Sequence, residues 1–367
     1  MNPFGDPVKY QALLTAVSEC IEPNAGLSLA DSGAQIQVLE SANGQSPKVQ
    51  VTLTYPLGQA VSTLAGQLSQ VLSRFGVTEV TINSEIPSTA VQQNIKQIQG
   101  IKNVLVVASG KGGVGKSTTA ANLALALALD GASVGLLDAD IYGPSQAQMM
   151  GLEGQRPVSS DGKSFAPLHA YGVKVMSIGL LIDQEQPMVW RGPMVTQALT
   201  QLLNNCQWGE LDYLVVDMPP GTGDIQLTMS QRVPISGALI VTTPQDIALL
   251  DARKGLKMFE KVGVPVLGII ENMSTHICSN CGHEAHVFGA GGGARMAAQY
   301  GVDLLAELPL DIRIREHMDA GLPIVANKPL DQLGESYMLL ARQASARLAR
   351  HAVKHAKAMP NISFEAT

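Results

Sequence analysis

The chain has 367 residues, 46% hydrophobic but only 4% aromatic, with a formal net charge of −6; that length admits two domains, the aliphatic bias suits an α/β nucleotide-binding core, and the charge argues against a general nucleic-acid binder. No apolar run approaches the roughly 18 residues that a membrane span needs, and the opening MNPFGDPVKYQ lacks the basic-then-apolar layout of a signal peptide. Cys20, Cys206, Cys278 and Cys281 are too sparse for a disulfide scaffold, so the expected location is cytoplasmic.

In chain order, residues 1–84 predict a small α+β domain. VKYQALLTAVSECI has helical spacing, AQIQVLE and KVQVTLTYPLG flank SANGQSP as a hairpin, VSTLAGQLSQVLSRFG is an amphipathic helix and VTEVTIN a closing strand. Residues 85–100 are polar and Gln-rich and are expected to be a linker. From 101 to 367 strands and helices alternate. The strand-like runs are KNVLVVAS (102–109), SVGLLDAD (133–140), VKVMSIG (173–179), DYLVVDMPP (212–220), GALIVTTP (237–244), VPVLGIIENM (264–273) and VDLLAELP (302–309). This alternation predicts a mostly parallel sheet flanked by helices. Near the end, 336–357 has helical spacing with a basic face. Its apolar positions are largely alanine, which suits a docked helix better than a membrane anchor. Met149, Met150, Met273 and Met296 are expected to fill core or interface space.

The first strand runs into SGKGGVGKSTTAANLALAL (109–127). Gly110, Gly115, Lys116 and Ser117 satisfy the phosphate-loop pattern G-x-x-x-x-G-K-S/T. Gly110, Gly112, Gly113 and Gly115 let backbone N–H groups turn inward without a Cβ in the way. Lys116 is placed to neutralise the β/γ-phosphates of ATP and Ser117 to meet Mg²⁺. Strand, glycine loop and helix N-terminus in series direct backbone dipoles toward an anion. A second lysine, Lys111, is unusual in such a loop. In open parallel sheets the ligand sits at the carboxyl ends of the strands, and those ends carry Asp138, Asp140 and Asp217. Asp217 leads into PPGTGD, rigid prolines followed by mobile glycines, a candidate sensor of the γ-phosphate.

THICSNCGHEAHVFGAGG (275–292) holds the second chemical feature, Cys278 and Cys281 in a C-x-x-C. Three uses compete. A redox dithiol ordinarily sits at a helix start in a thioredoxin-like context, which is missing. A zinc site could recruit His283 and His286, or His276, although finger spacing is absent. A [4Fe–4S] cluster wants four thiolates, and a two-fold dimer would bring two C-x-x-C pairs together.

GKGGVGKST, LLDADIYGPS, VVDMPPGTGD and IIENMS together resemble the Mrp/ApbC group of iron–sulfur cluster carrier ATPases. That group belongs to the MinD/ParA class with a deviant phosphate loop, and the resemblance covers about 101–330. The fold it implies is a P-loop NTPase with a mostly parallel sheet. The N-terminal domain resembles the MIP18-type module often fused ahead of it; the family's Asp-Pro-Glu stretch stands here as Glu22-Pro23-Asn24. The resemblance implies that Lys111 reaches the phosphates bound in a facing subunit, completing a neighbour's site. It places Gly110 to Thr118, Val114 included, around phosphate and Mg²⁺, with Lys111, Lys116 and Asp140 catalytic. Asp140 would position the attacking water, Asp217 would hold the metal's water shell and Asn272 would contact adenine. Trp190-Arg191-Gly192-Pro193 matches a family stretch without a chemical role. The implied protein is a homodimeric ATPase that passes a cluster, held by Cys278 and Cys281, to apoproteins without nucleic acid or stable membrane association. A MinD/ParA-like positioning ATPase and a zinc-binding nucleotide-dependent regulator are the alternatives.

Overall fold

The computed structural model describes residues 10–39, 47–89, 95–159, 161–181 and 192–358. Contacts divide the chain into two units, residues 1–87 with 345–367, and residues 88–344.

The first unit contains α1 (Gln11–Ser18), β1 (Ile21–Glu22), β2 (Leu27–Ser28), β3 (Gln35–Leu39), β4 (Lys48–Leu53), α2 (Val61–Leu72) and β5 (Glu79–Ser84). β3 and β4 pair antiparallel, and β5 pairs parallel to β4 after the α2 crossover. The four-residue spacing of Leu64, Leu68 and Leu72 puts all three on the buried face of α2. Val49, Val51 and Leu53 alternate inward from β4 to meet the same core. Ala346 and Ala349 of the last helix are buried in that core too, and the Arg347 guanidinium donates to the Ala25 carbonyl at 2.6 Å. The second domain, expected to run to 367, therefore stops at 344. Small alanines, which suit no lipid surface, instead let this helix approach the first unit's core closely.

The second unit contains β6 (Ile101–Ser109), α3 (Lys116–Leu129), β7 (Val134–Asp138), α4 (Gln146–Met149), β8 (Leu168–Ala170), β9 (Val173–Ser177), α5 (Gly192–Asn205), β10 (Leu211–Asp217), α6 (Asp224–Arg232), β11 (Gly237–Thr242) and α7 (Asp246–Lys261). It continues with β12 (Val266–Asn272), β13 (His276–Ile277), β14 (Glu284–Ala285), α8 (Gly292–Tyr300), β15 (Asp303–Leu308) and α9 (Ile312–Asp319). The first half of α10 (Gln332–Ala358) completes it. An eight-stranded sheet runs β15-β12-β11-β6-β10-β7-β9-β8, parallel throughout except for β8 at one edge. The continuous apolar runs of β6, β10 and β11 are buried on both faces, as the middle of a covered parallel sheet requires. α3 is apolar on all sides because it lies buried against the sheet, with Ala120 to Leu127 all buried.

Part of the expected linker is fixed to this unit. The Thr89 amide donates to Asn103 Oδ1 at 3.2 Å, and the Ser236 hydroxyl donates to the Thr89 carbonyl at 3.0 Å. Residues 90–94, and Trp190 and Arg191 of the family stretch, lie outside the described residues.

Candidate nucleotide site and cysteine hairpin

β6 ends at the glycine loop, and its two sheet neighbours are β10 and β11. The loop is shaped by two close approaches. A Cβ on Gly110 would fall 2.1 Å from the Asp251 carbonyl carbon in α7, and one on Gly115 would fall 2.1 Å from Asn272 Nδ2. Gly115 also has φ +85 at the start of α3, a left-handed conformation that glycine adopts without penalty. The Asn272 amide, at the end of β12, donates to the Val114 carbonyl at 2.9 Å. The residue expected to touch adenine thus also supports the phosphate loop through Val114.

The parallel register places Asp217 of β10 level with Asp138 of β7. Lys116 Nζ lies 2.5 Å from Asp217 Oδ1, 3.7 Å from Asp140 Oδ2 and 3.1 Å from the Ser117 hydroxyl. Lys116, Ser117, Asp140 and Asp217, singled out in sequence, therefore converge. Asp138 is fully buried. Its Oδ2 accepts from the Ser145 and Gln146 amides and the Ser177 hydroxyl, each at 3.0 Å. Burial and the neighbouring Asp217 carboxylate push its carboxyl up to about 7, against those hydrogen bonds and the Lys116 charge. Asp140 is also raised, by burial first, with Lys116 opposing.

One buried ammonium facing three carboxylates leaves negative charge uncompensated when all are ionised. The donors are all hard oxygens, the set that a Mg²⁺ ion accompanying a nucleotide takes. Lys111 is half-buried; its carbonyl accepts from the Ser109 hydroxyl at 2.9 Å, and no hydrogen bond or ion pair engages its ammonium among the described residues.

Three residues of the site gave no signal in the sequence. Gln146 is fully buried, and its Nε2 donates to Asp217 Oδ2 at 2.8 Å and to the Ser117 carbonyl at 2.9 Å. Asn122 in α3 donates to the Thr118 carbonyl at 3.0 Å and accepts from the Val325 amide at 3.1 Å. Glu271, beside Asn272, accepts from the Gly293 amide at the start of α8. Amides and carboxylates that serve backbone groups follow no spacing rule, so only the folded chain exposes them.

Cys278 and Cys281 occupy the turn between β13 and β14. Those strands pair His276 with Ala285 and Ile277 with Glu284. The Cys278 amide donates to the His283 carbonyl and the Gly282 amide to the Cys278 carbonyl, both at 2.9 Å. Backbone N–H groups of Cys281 and Asn280 point at the Cys278 sulfur and hold its thiol below the ordinary value. Two of the histidines considered as zinc ligands are tied down: His276 Nδ1 meets the Leu310 carbonyl and His286 Nδ1 the Ser274 carbonyl, each at 3.0 Å. Among the described residues no three His, Cys, Asp or Glu side chains gather as a metal site. Cys206 is buried, its thiol pushed up to about 12, and Cys20 is also raised.

The profile described as ParA, NUBPL iron-transfer P-loop NTPase, matches residues 100–345. The chain is 57% identical over 286 residues to the iron–sulfur cluster carrier protein of Pseudomonas fragi, covering 78% of this chain and 97% of that one. It is 53% identical over 255 residues to the iron–sulfur cluster transfer protein NUBPL of Mus musculus, covering 69% and 80%. Among solved structures it is similar to a nucleotide-binding protein of Archaeoglobus fulgidus in complex with ADP, at 39% identity and a TM-score of 0.54, covering 60% of this chain and 87% of that one.

Proposed function

Because the chain belongs to the ParA-type, NUBPL-like family of iron-transfer P-loop NTPases, we propose that it hydrolyses ATP and carries an iron–sulfur cluster to apoproteins. It works as a homodimer in the cytoplasm, with a [4Fe–4S] cluster bridged by Cys278 and Cys281 of each protomer. The glycine loop and the N-terminus of α3 bind the phosphates through backbone N–H groups. Lys116 leaves its ion pair with Asp217 for the β/γ-phosphates. Ser117 would hold Mg²⁺ and Asp217 its water shell, and the ion would neutralise phosphate charge. Asp140 orients the attacking water. Lys111 crosses to the partner's nucleotide, where a second cation stabilises the charge developing in the transition state. Asn272 reaches adenine from the position in which it supports Val114.

The observation that carries the cargo reading is the hairpin itself. It presents two thiols on one tight turn, one of them biased toward thiolate, with no third side-chain ligand gathered beside them among the described residues. Two such turns supply the four sulfurs a cluster needs.

Anaerobic reconstitution with iron and sulfide tests this. About four irons per dimer are expected, with charge-transfer absorption. Cys278→Ser and Cys281→Ser should each abolish cluster loading and leave ATP binding intact. One zinc per chain, unmoved by iron and sulfide, would exclude the carrier reading.

A further inference from the structure

Gln146 carries an unpaired buried oxygen beside the nucleotide site. Its side chain is fully buried, and Oε1 has no hydrogen-bond partner among the described residues. The amide's orientation is dictated by chemistry. Both groups facing Nε2, the Asp217 carboxylate and the Ser117 carbonyl, can only accept. Turning the amide over would set oxygen against two acceptors, so the nitrogen faces them and Oε1 faces away. A buried carbonyl oxygen left without a donor destabilises the fold, so a residue held in this position is poised for a donor that arrives from outside the fold.

The two groups it clamps narrow that donor down. Asp217 is assigned to the water shell of Mg²⁺, and the hydroxyl of Ser117, on the residue whose carbonyl Gln146 holds, to the ion itself; water bound to a divalent cation is a strong hydrogen-bond donor. The rest of the site agrees: the nearby oxygens are hard donors, and among the described residues Lys116 is the cation set against Asp217, Asp140 and Asp138. The backbone of Gln146 is also fixed, its amide donating to Asp138 Oδ2, so the side chain starts from an anchored point.

Resting on the nucleotide reading above, we propose that Gln146 is a positioning residue for magnesium. It holds Oδ2 of Asp217 in place and accepts a hydrogen bond from the ion's water shell. Its loss therefore weakens nucleotide binding with magnesium more than metal-free binding, which feels only the contact to the Ser117 carbonyl.

The test titrates Mg²⁺ into the full-length protein with a fluorescent ADP analogue, and in parallel measures the analogue's affinity in EDTA. Gln146→Leu removes donors and acceptor at similar volume. The Mg²⁺ concentration for half-maximal binding should rise about tenfold or more, as for other outer-sphere metal contacts, and the affinity in EDTA should fall several-fold less than the affinity with magnesium. Gln146→Met keeps the unbranched stem, should behave alike, and serves if Gln146→Leu does not fold. An unchanged magnesium requirement, or equal weakening with and without the metal, overturns the proposal. If the wild-type protein binds the analogue with magnesium yet the variants match it, only the role of Gln146 fails. If the wild-type protein binds no nucleotide under either condition, the nucleotide reading fails and this one with it.

Discussion

The four cysteines differ at the level of single thiols. Nearby N–H groups lower Cys278, whereas burial raises Cys206 to about 12 and also raises Cys20. The thiolate is the nucleophile, and a lowered value means it is populated at a lower pH. In cluster-free protein, iodoacetamide should therefore modify Cys278 several-fold faster than Cys20 at neutral pH, with Cys206 protected until unfolding. The Cys278 rate should reach half its plateau at a pH below the ordinary thiol value. Peptide mass spectrometry across a pH series reads this directly, and a midpoint at or above the ordinary value would refute it. The pairing of Cys278 with Cys281 was legible from spacing alone. The N–H groups aimed at the Cys278 sulfur were not, because they depend on how the turn closes.

Among the elements, the strand–loop–helix of β6 and α3 depends on glycine for two different reasons. Gly115 needs both its left-handed φ and the space that the Asn272 amide fills. Gly112 has an ordinary φ, and nothing lies within 4 Å of where its Cβ would be. Gly115→Ala should cost at least about 1–2 kcal/mol from backbone conformation alone. Gly112→Ala should stay within about 0.5 kcal/mol. Denaturant unfolding of the two variants side by side checks the contrast. Each long strand expected from an apolar run was found within one to three residues at either end. Periodicity missed β8, whose three residues are half-exposed or exposed at the sheet edge. It also missed β13 and β14, two residues each, too short to show alternation. Gln146 escaped because its partners, Asp217 and Ser117, lie 71 and 29 residues away.

At the scale of the whole molecule, the extra lysine predicts behaviour that no single chain can show. Lys111→Ala and Asp140→Ala homodimers should both be inactive. When the two are mixed, the nucleotide bound to a Lys111→Ala protomer keeps its own Asp140 and receives an intact Lys111 from the other, so one site of two is restored. ATP turnover should reappear in mixed dimers isolated by two affinity tags; its absence there would place Lys111 in its own site. The return of the chain to its first unit was hidden from the sequence, because α10 runs through residue 345 without a break in helical pattern. That discontinuity bears on biosynthesis. The ribosome makes α1 to β5 first, yet Ala346, Arg347 and Ala349, which close their core, come only after residues 88–344 have been translated. At ordinary elongation rates the wait is on the order of tens of seconds, so this unit, begun before residues 88–344, closes its core only after they have been made.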